Sequence, residues 1–382
     1  MDISIYFSPV EITDAFSEHQ LGSKIEKFDG VFPSDLSDAI VIFYLPEYRG
    51  SQWLHVSEGV KSNFRESFYS LNVGPNWNKK VIDLGNIKPG GEYSDSHAAL
   101  VDVFYNLIKM NSIPLLIGGS QDLVFSMYKS YERLEQFVNI CSVDSKLDLG
   151  NPEDDLEEKG YLGKILFQRP CYLFNQSNIG LQIPYASAVE YDLFKKLCFD
   201  ICRLGEYNNN FKHAEPHIRN ADMVNIDFTS LKASEIDNPF GQPNGFYAEQ
   251  ICQIAKYAGM SDKLSSMAIF NYSYFTDLAD ALLAQIMWYF IDGVESRVGD
   301  FPVGNKKEYA KFTVILENSE HHEIAFYKSN KSQRWWMEVP YPPKKGSKYE
   351  RHLMVPCNKE DYDFATKNEV PDLWWKTYQK LL

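Results

Sequence analysis

Between residues 39 and about 297, short apolar runs alternate with longer segments whose apolar residues recur every three to four positions. Apolar runs of six to eight residues are the signature of strands buried on both faces, and the longer segments are amphipathic helices. Successive strands separated by helices are joined by right-handed crossovers, so the chain is expected to form a mainly parallel sheet in a three-layer α/β/α arrangement. AIVIFYLP (39–46), SIPLLIGG (112–119), QFVNICSVD (136–144), RPCYLFN (169–175), ADMVNID (221–227) and KLSSMAIFNY (263–272) read as strands. Helices are expected over SDSHAALVDVFYNLIKMN (94–111), through Leu123 and Tyr128, and over SAVEYDLFKKLCFDICRLG (187–205), GFYAEQICQIAKYAGM (245–260) and TDLADALLAQIMWYFIDG (276–293). In the first, Leu100, Val101, Phe104, Leu107 and Ile108 share a face, with Ser94 or Ser96 as N-cap.

After DFPVGNKKEY the texture changes to short β-like runs, KFTVILEN, HEIAFYKS, RWWMEVPYP and HLMVPC, and a helical end, PDLWWKTYQKLL. Residues 1–297 are therefore assigned to the α/β domain and 298–382 to a β-rich C-terminal extension ending in a helix. Its paired tryptophans, Trp335-Trp336 and Trp374-Trp375, are expected either to pack the extension onto the main domain, the commoner use, or to present a partner-binding surface.

The formal charge of −14 excludes a nucleic-acid or anionic-membrane binder that relies on a broad basic face. No apolar stretch reaches the roughly 20 residues of a membrane span. Six cysteines without C-x-x-C spacing and an amino terminus without a basic and apolar leader lead to the expectation of a reduced, cytoplasmic protein. Cys198 and Cys202 read as helix cysteines rather than a zinc pair, and His213 and His217 as exposed loop residues.

Chemistry concentrates where strands stop. Asp144 and Asp148 follow the run ending at Val143, and Asp227 closes MVNID. Ligand-binding groups in alternating β/α chains are displayed at such ends. Gly118-Gly119 at another end is too short for a phosphate loop and is expected to permit a sharp turn. Asp122, which follows Gln121, is expected to cap the next helix.

The order of these motifs resembles the ureohydrolase family of arginases, agmatinases and formimidoylglutamases over roughly residues 35 to 297. Family strands end in Gly-Gly-Asp-His, Asp-Ala-His-x-Asp and Ser-x-Asp-x-Asp; here they read Gly118-Gly119-Ser120-Gln121, Asp144-Ser145-Lys146-Leu147-Asp148 and Asn225-Ile226-Asp227-Phe228-Thr229. IDNPFGQPNGFYAEQ matches the family's Pro- and Gly-rich turn. The resemblance implies a site for two manganese ions held by two histidines and four aspartates. Carried over by position, Asp144, Asp148 and Asp227 are kept, while Gln121 and Lys146 replace the histidines and Thr229 replaces the last aspartate.

The substitutions fall mostly on one ion. Gln121, Asp144, Asp148 and Asp227 would still offer oxygen donors to a single Mn, Mg or Ca ion. Lys146 and Thr229 stand where the second ion's ligands would be, and an ammonium cannot ligate a cation, so a two-manganese cluster is not expected. The bland alternative is no metal at all, with Lys146 bridging the aspartates as a buried charge network. None of the histidines (19, 55, 97, 213, 217, 321, 322, 352) falls in these motifs, and FNQSNIGLQIPY has none at the family's proton-shuttle position. Glu249 stands near the glutamate that the family uses to hold the substrate's amidine.

The resemblance, with these losses, leads to the expectation of a non-catalytic ureohydrolase-like protein, a pseudoenzyme acting through a protein partner. The alternative is a divergent metal-dependent C–N hydrolase of an amidine or guanidine such as formiminoglutamate, agmatine or arginine. A homo-oligomer is also implied, since family members are commonly trimers or hexamers.

Overall fold

The computed structural model describes residues 2–12, 15–51, 54, 56, 61–302, 306–317, 323–342 and 351–382. His55, His321 and His322 lie outside them.

The main sheet contains β1 (Phe7–Ser8), β2 (Glu26–Lys27), β3 (Ile40–Leu45), β4 (Val81–Ile87), β5 (Ile113–Gly118), β6 (Val138–Val143), β7 (Leu173–Leu181), β8 (Asp200–Arg203), β9 (Met223–Asp227) and β10 (Ser266–Phe270). They run in the order β1-β4-β3-β5-β10-β9-β6-β7-β8, with β2 beside β4. All neighbours are parallel except β1, which pairs antiparallel with β4. In β3, Ile40 and Ile42 enter one core while Val41, Phe43 and Leu45 enter the other; β5 and β10 divide in the same way. Period-two alternation of wholly apolar strands is what burial on both faces demands.

On one face lie α1 (Phe64–Ser70), α7 (Glu215–Asn220), α8 (Ala248–Gly259) and α9 (Asp277–Glu295). On the other lie α2 (Tyr93–Lys109), α3 (Val124–Arg133), α4 (Tyr161–Phe167) and α5 (Ala188–Lys196). Among the described residues no helix is long and apolar enough to cross a membrane. The expected alternation is present, with local corrections. The segment read as one helix over 187–205 is α5, then β8, then α6 (Leu204–Asn209). Cys198 turns the chain between them at φ 56°, and Cys202 is buried in β8, so the two are not helical neighbours. Helix α2 starts one residue before Ser94, and Glu92 and Asp95 form its capping box. His217 lies in α7, near Asp200 (3.7 Å), rather than on an exposed loop; Pro216 sits in that helix's first turn, where a missing N–H costs nothing.

The extension forms an antiparallel sheet of β11 (Tyr309–Ile315), β12 (Glu323–Ser329), β13 (Trp335–Pro340) and β14 (His352–Cys357), followed by α10 (Lys359–Ala365) and α11 (Asp372–Leu381). It has its own apolar core, including Phe326, Trp335, Met337 and Trp374. Arg219 of α7 clamps it: Nη1 donates to the Trp335 carbonyl (3.1 Å), Nη2 to that of Cys357 (3.0 Å), and the guanidinium lies 4.5 Å from the Trp336 ring centre. Trp335, Trp336 and Trp374 are therefore packing residues, whereas Trp375 is 46% exposed.

Candidate functional site

The sheet order places β5, β10, β9 and β6 side by side. Their carboxyl ends therefore open onto one spot, and the motifs that follow them converge. Gly119 permits a close approach rather than a turn, because a Cβ there would lie 1.6 Å from the Glu47 carbonyl oxygen. Beyond it, Gln121 begins a 3₁₀ turn (Gln121–Leu123) and is buried. Asp148 (φ 48°) and Asn271 (φ 58°), after β6 and β10, adopt the left-handed conformation that short polar side chains tolerate. Non-glycine residues held there cluster at functional turns.

Gln121, Asp144, Asp148 and Asp227 are thus brought together, all at most 6% exposed. The carboxylates of Asp144 and Asp227 accept hydrogen bonds from protein donors. Asp144 Oδ2 accepts from Gln121 Nε2 (2.8 Å) and Oδ1 from the Lys146 backbone N–H (2.9 Å). Asp227 Oδ1 accepts from the Thr229 N–H and Asn271 Nδ2 (2.9 Å each), and Oδ2 from Thr229 Oγ1 (2.6 Å). Gln121 thus meets Asp144 with its N–H, which satisfies one oxygen of a fully buried carboxylate.

The acids have shifted accordingly. Burial, then the neighbouring Asp148 and Asp227, push the Asp144 carboxyl well above its ordinary range. Burial lifts Asp148 to about 6, opposed by Lys146 and by a hydrogen bond with Asp144. Asp144 and Asp148 are thus a hydrogen-bonded pair of buried carboxyls, both shifted upward. For Lys146, burial alone would lower the pKa, but Asp227, Asp148, Asp144 and Glu158 together raise it, so it stays an ammonium.

Above this floor is a cavity of about 290 Å³, lined by Lys146, Glu158, Lys159, Thr229, Asn271 and Ser273 among others. Glu158 was not singled out by sequence reading, being one of five acids in PEDDLEEKG. It is 8% exposed, and burial raises its pKa from 4.5 to about 7. Asn271 was also missed, although it follows a strand end, the same signal that picked out Asp144. Glu249 lies exposed in the first turn of α8 and does not line this cavity. Asp122 does not cap α3; its carboxylate receives Tyr93 OH and lies 3.3 Å from His97 Nε2.

Among the described residues no group of three or more His, Cys, Asp or Glu side chains is arranged to hold a metal ion. The two-manganese site implied by the family does not fit these residues: at the positions carried over from its ligands stand Lys146, whose ammonium cannot ligate a cation, and Thr229, whose hydroxyl donates to Asp227.

No protein-family model and no curated protein sequence matches this chain. Solved structures do. A formiminoglutamase from Trypanosoma cruzi crystallised with Mn²⁺ aligns over 73% of this chain and 99% of its own, at 17% identity and a TM-score of 0.61. The formimidoylglutamase of Bacillus subtilis covers 75% and 96%, at 16% identity and 0.63. The agmatine ureohydrolase of Thermoplasma volcanium covers 74% and 96%, at 15% identity and 0.58. The fold of this chain is the arginase/ureohydrolase-family fold.

Proposed function

We propose that this chain is non-catalytic as a ureohydrolase, a pseudoenzyme on that scaffold whose strand-end cleft does no amidine hydrolysis and which acts through a protein partner in the cytoplasm. The observation that supports the reading is that protein groups donate to Asp144 and Asp227; the family resemblance adds that Lys146 and Thr229 stand at ligand positions of a second ion. Two-metal hydrolysis needs both ions to generate and hold the hydroxide, and this cluster lacks the second ion's ligands. Purified protein incubated with formiminoglutamate, agmatine or arginine and Mn²⁺ is expected to release no formamide, urea or ammonia. Turnover that disappears in Asp144→Ala refutes the reading. Affinity capture of the full chain is expected to recover a stoichiometric partner, or a second copy of itself; a monomer alone in every preparation counts against the scaffold role.

A second reading, a divergent amidine or guanidine hydrolase using one Mn, Mg or Ca ion, is favoured by one observation. Glu158, poised at about 7 beside the cavity, has the pKa of a general acid or base at neutral pH. The same turnover assay separates the two readings.

A further inference from the structure

A cavity apart from the cleft measures about 590 Å³, within the range of small-molecule sites, and opens between the amino-terminal turns of α2 and α3. Tyr93, His97, Val101, Phe125, Ser126 and Lys129 line it. At its wall, His97 Nδ1 lies 2.6 Å from Ser126 Oγ, and His97 Nε2 lies 3.3 Å from Asp122 Oδ2. Asp122 is fully buried and held by the Tyr93 hydroxyl, whose ring stands edge-on to His97 at 4.5 Å between centres. A Cβ at Gly50 would fall 2.0 Å from Asp122 Oδ1, so only glycine lets the backbone cover that oxygen. The carboxylate of Asp122 thus faces the histidine side of the cavity, while its chain neighbour Gln121 turns the other way, to Asp144.

A hydroxyl, an imidazole and a buried carboxylate in this order are the arrangement that makes serine a nucleophile: a base within reach of the hydroxyl, and a third group that fixes the base's tautomer. His97 Nε2 makes no hydrogen bond to Asp122, but the carboxylate charge 3.3 Å away favours the proton on that nitrogen, which leaves the Nδ1 lone pair to the Ser126 hydroxyl. We propose that this cavity is a second, metal-independent site, for acyl transfer from small esters with an apolar acyl group, with Ser126 as nucleophile and His97 as base. Asp122 is the positioning residue.

In the reaction Ser126 Oγ bonds to the acyl carbon as its proton passes to His97 Nδ1. The tetrahedral adduct collapses with rupture of the ester C–O bond, and His97 returns the proton to the departing alkoxide. Water, deprotonated by the same nitrogen, then releases the carboxylic acid and restores Ser126. Lys129, three residues along the same helix and lining the same cavity, supplies positive charge for the oxyanion, shared with its neighbour Glu132. Val101 and Phe125 offer the acyl group an apolar wall. Ser126 is 1% exposed, so substrate reaches it only through the cavity.

The test is a fluorophosphonate probe on the full chain, read by peptide mass spectrometry, together with hydrolysis of p-nitrophenyl butyrate. A one-to-one adduct on Ser126, blocked by prior incubation with the ester, is expected. Ser126→Ala should abolish it and slow hydrolysis on the order of a hundredfold, and Asp122→Asn should lower kcat while leaving KM in place. Absence of a Ser126 adduct in folded wild-type protein, or hydrolysis undiminished in Ser126→Ala, overturns the proposal; the wild-type labelling result stands even where a variant fails to fold.

Discussion

Replacing Glu158 by glutamine isolates one term of the cleft's electrostatics. The residue is 8% exposed. Burial lifts its carboxyl from 4.5 to about 7, a hydrogen bond from Ser51 and the charge of Lys146 oppose the rise, and Asp227 and Asp148 add to it. Because the folded chain binds this proton more tightly than the unfolded chain, the contribution to stability is complete below pH 4.5. It is lost as pH climbs through 7. At about 1.36 kcal/mol per pH unit, the interval from 4.5 to about 7 corresponds to about 3 kcal/mol. A chain of this size loses roughly 2 °C of melting temperature per kcal/mol, so between pH 4.5 and 8.5 wild type should fall on the order of 5 °C further than Glu158→Gln. Glutamine keeps the shape and an oxygen acceptor but cannot ionise. Asp148, raised to about 6, loses stability over a lower interval in both proteins and cancels in the difference. Scanning calorimetry or dye-based melting across that range provides the measurement; parallel curves for the two proteins refute the assignment of a raised pKa to Glu158.

Lys146→Met should leave the carboxylates without their nearby cation and cost about 3 kcal/mol at pH 8, shrinking as pH falls through 6 and Asp148 protonates; urea denaturation at pH 8 and pH 5 checks both the size and the trend. Addition of Mn²⁺ or EDTA to wild type should leave its melting temperature unchanged, whereas the triple variant Gln121→His, Lys146→His, Thr229→Asp should gain a metal-dependent rise, read together with bound metal by elemental analysis. Arg219→Ala removes two hydrogen bonds, a ring contact and the ion pair with Glu215 at 3.0 Å. It should cost about 2 to 4 kcal/mol and raise hydrogen exchange in β13 and β14 while leaving β5 and β9 protected.

The central strands were legible because they are buried on both faces: IVIFYL, IPLLIG and SMAIF carry no competing period, and each is bounded by a polar turn. Strand β4 was not read at all. Its sequence, VIDLGNI, places Asp83 and Gly85 inside a strand, and Asp83 is tolerated only because Arg65 and Tyr69, distant in sequence, bond to it. Strand β8 was absorbed into a helix for a related reason. FDICR is short and flanked by good helix formers, and the break at Cys198 is made by a left-handed residue that nothing local announces. The buried Asp200 in that strand is satisfied by Asn175 and approached by Lys376 and Lys380 of the terminal helix, partners supplied by tertiary structure alone.

The same distinction governs the site. Sequence position placed Asp144, Asp148, Asp227 and Gln121 together, because strand order and parallel crossovers force strand ends to meet. What it could not supply was the direction of each dipole. A glutamine offers a metal its oxygen and a carboxylate its N–H, and the choice depends on whether a cation or a second acceptor stands opposite. In this chain the choice falls to the N–H, and Thr229 and Asn271 make the corresponding choice at Asp227. On the positional carry-over from the family, Gln121 and Thr229 therefore do more than delete a ligand: each places a donor on a buried carboxylate. Lys146 supplies a full charge, and Gln121, Thr229 and Asn271 supply partial ones. A cluster of acids inherited with a metal-binding fold can then remain buried without the metal, and this is why reverting any one of the three positions alone should fail to restore binding while reverting all three should succeed.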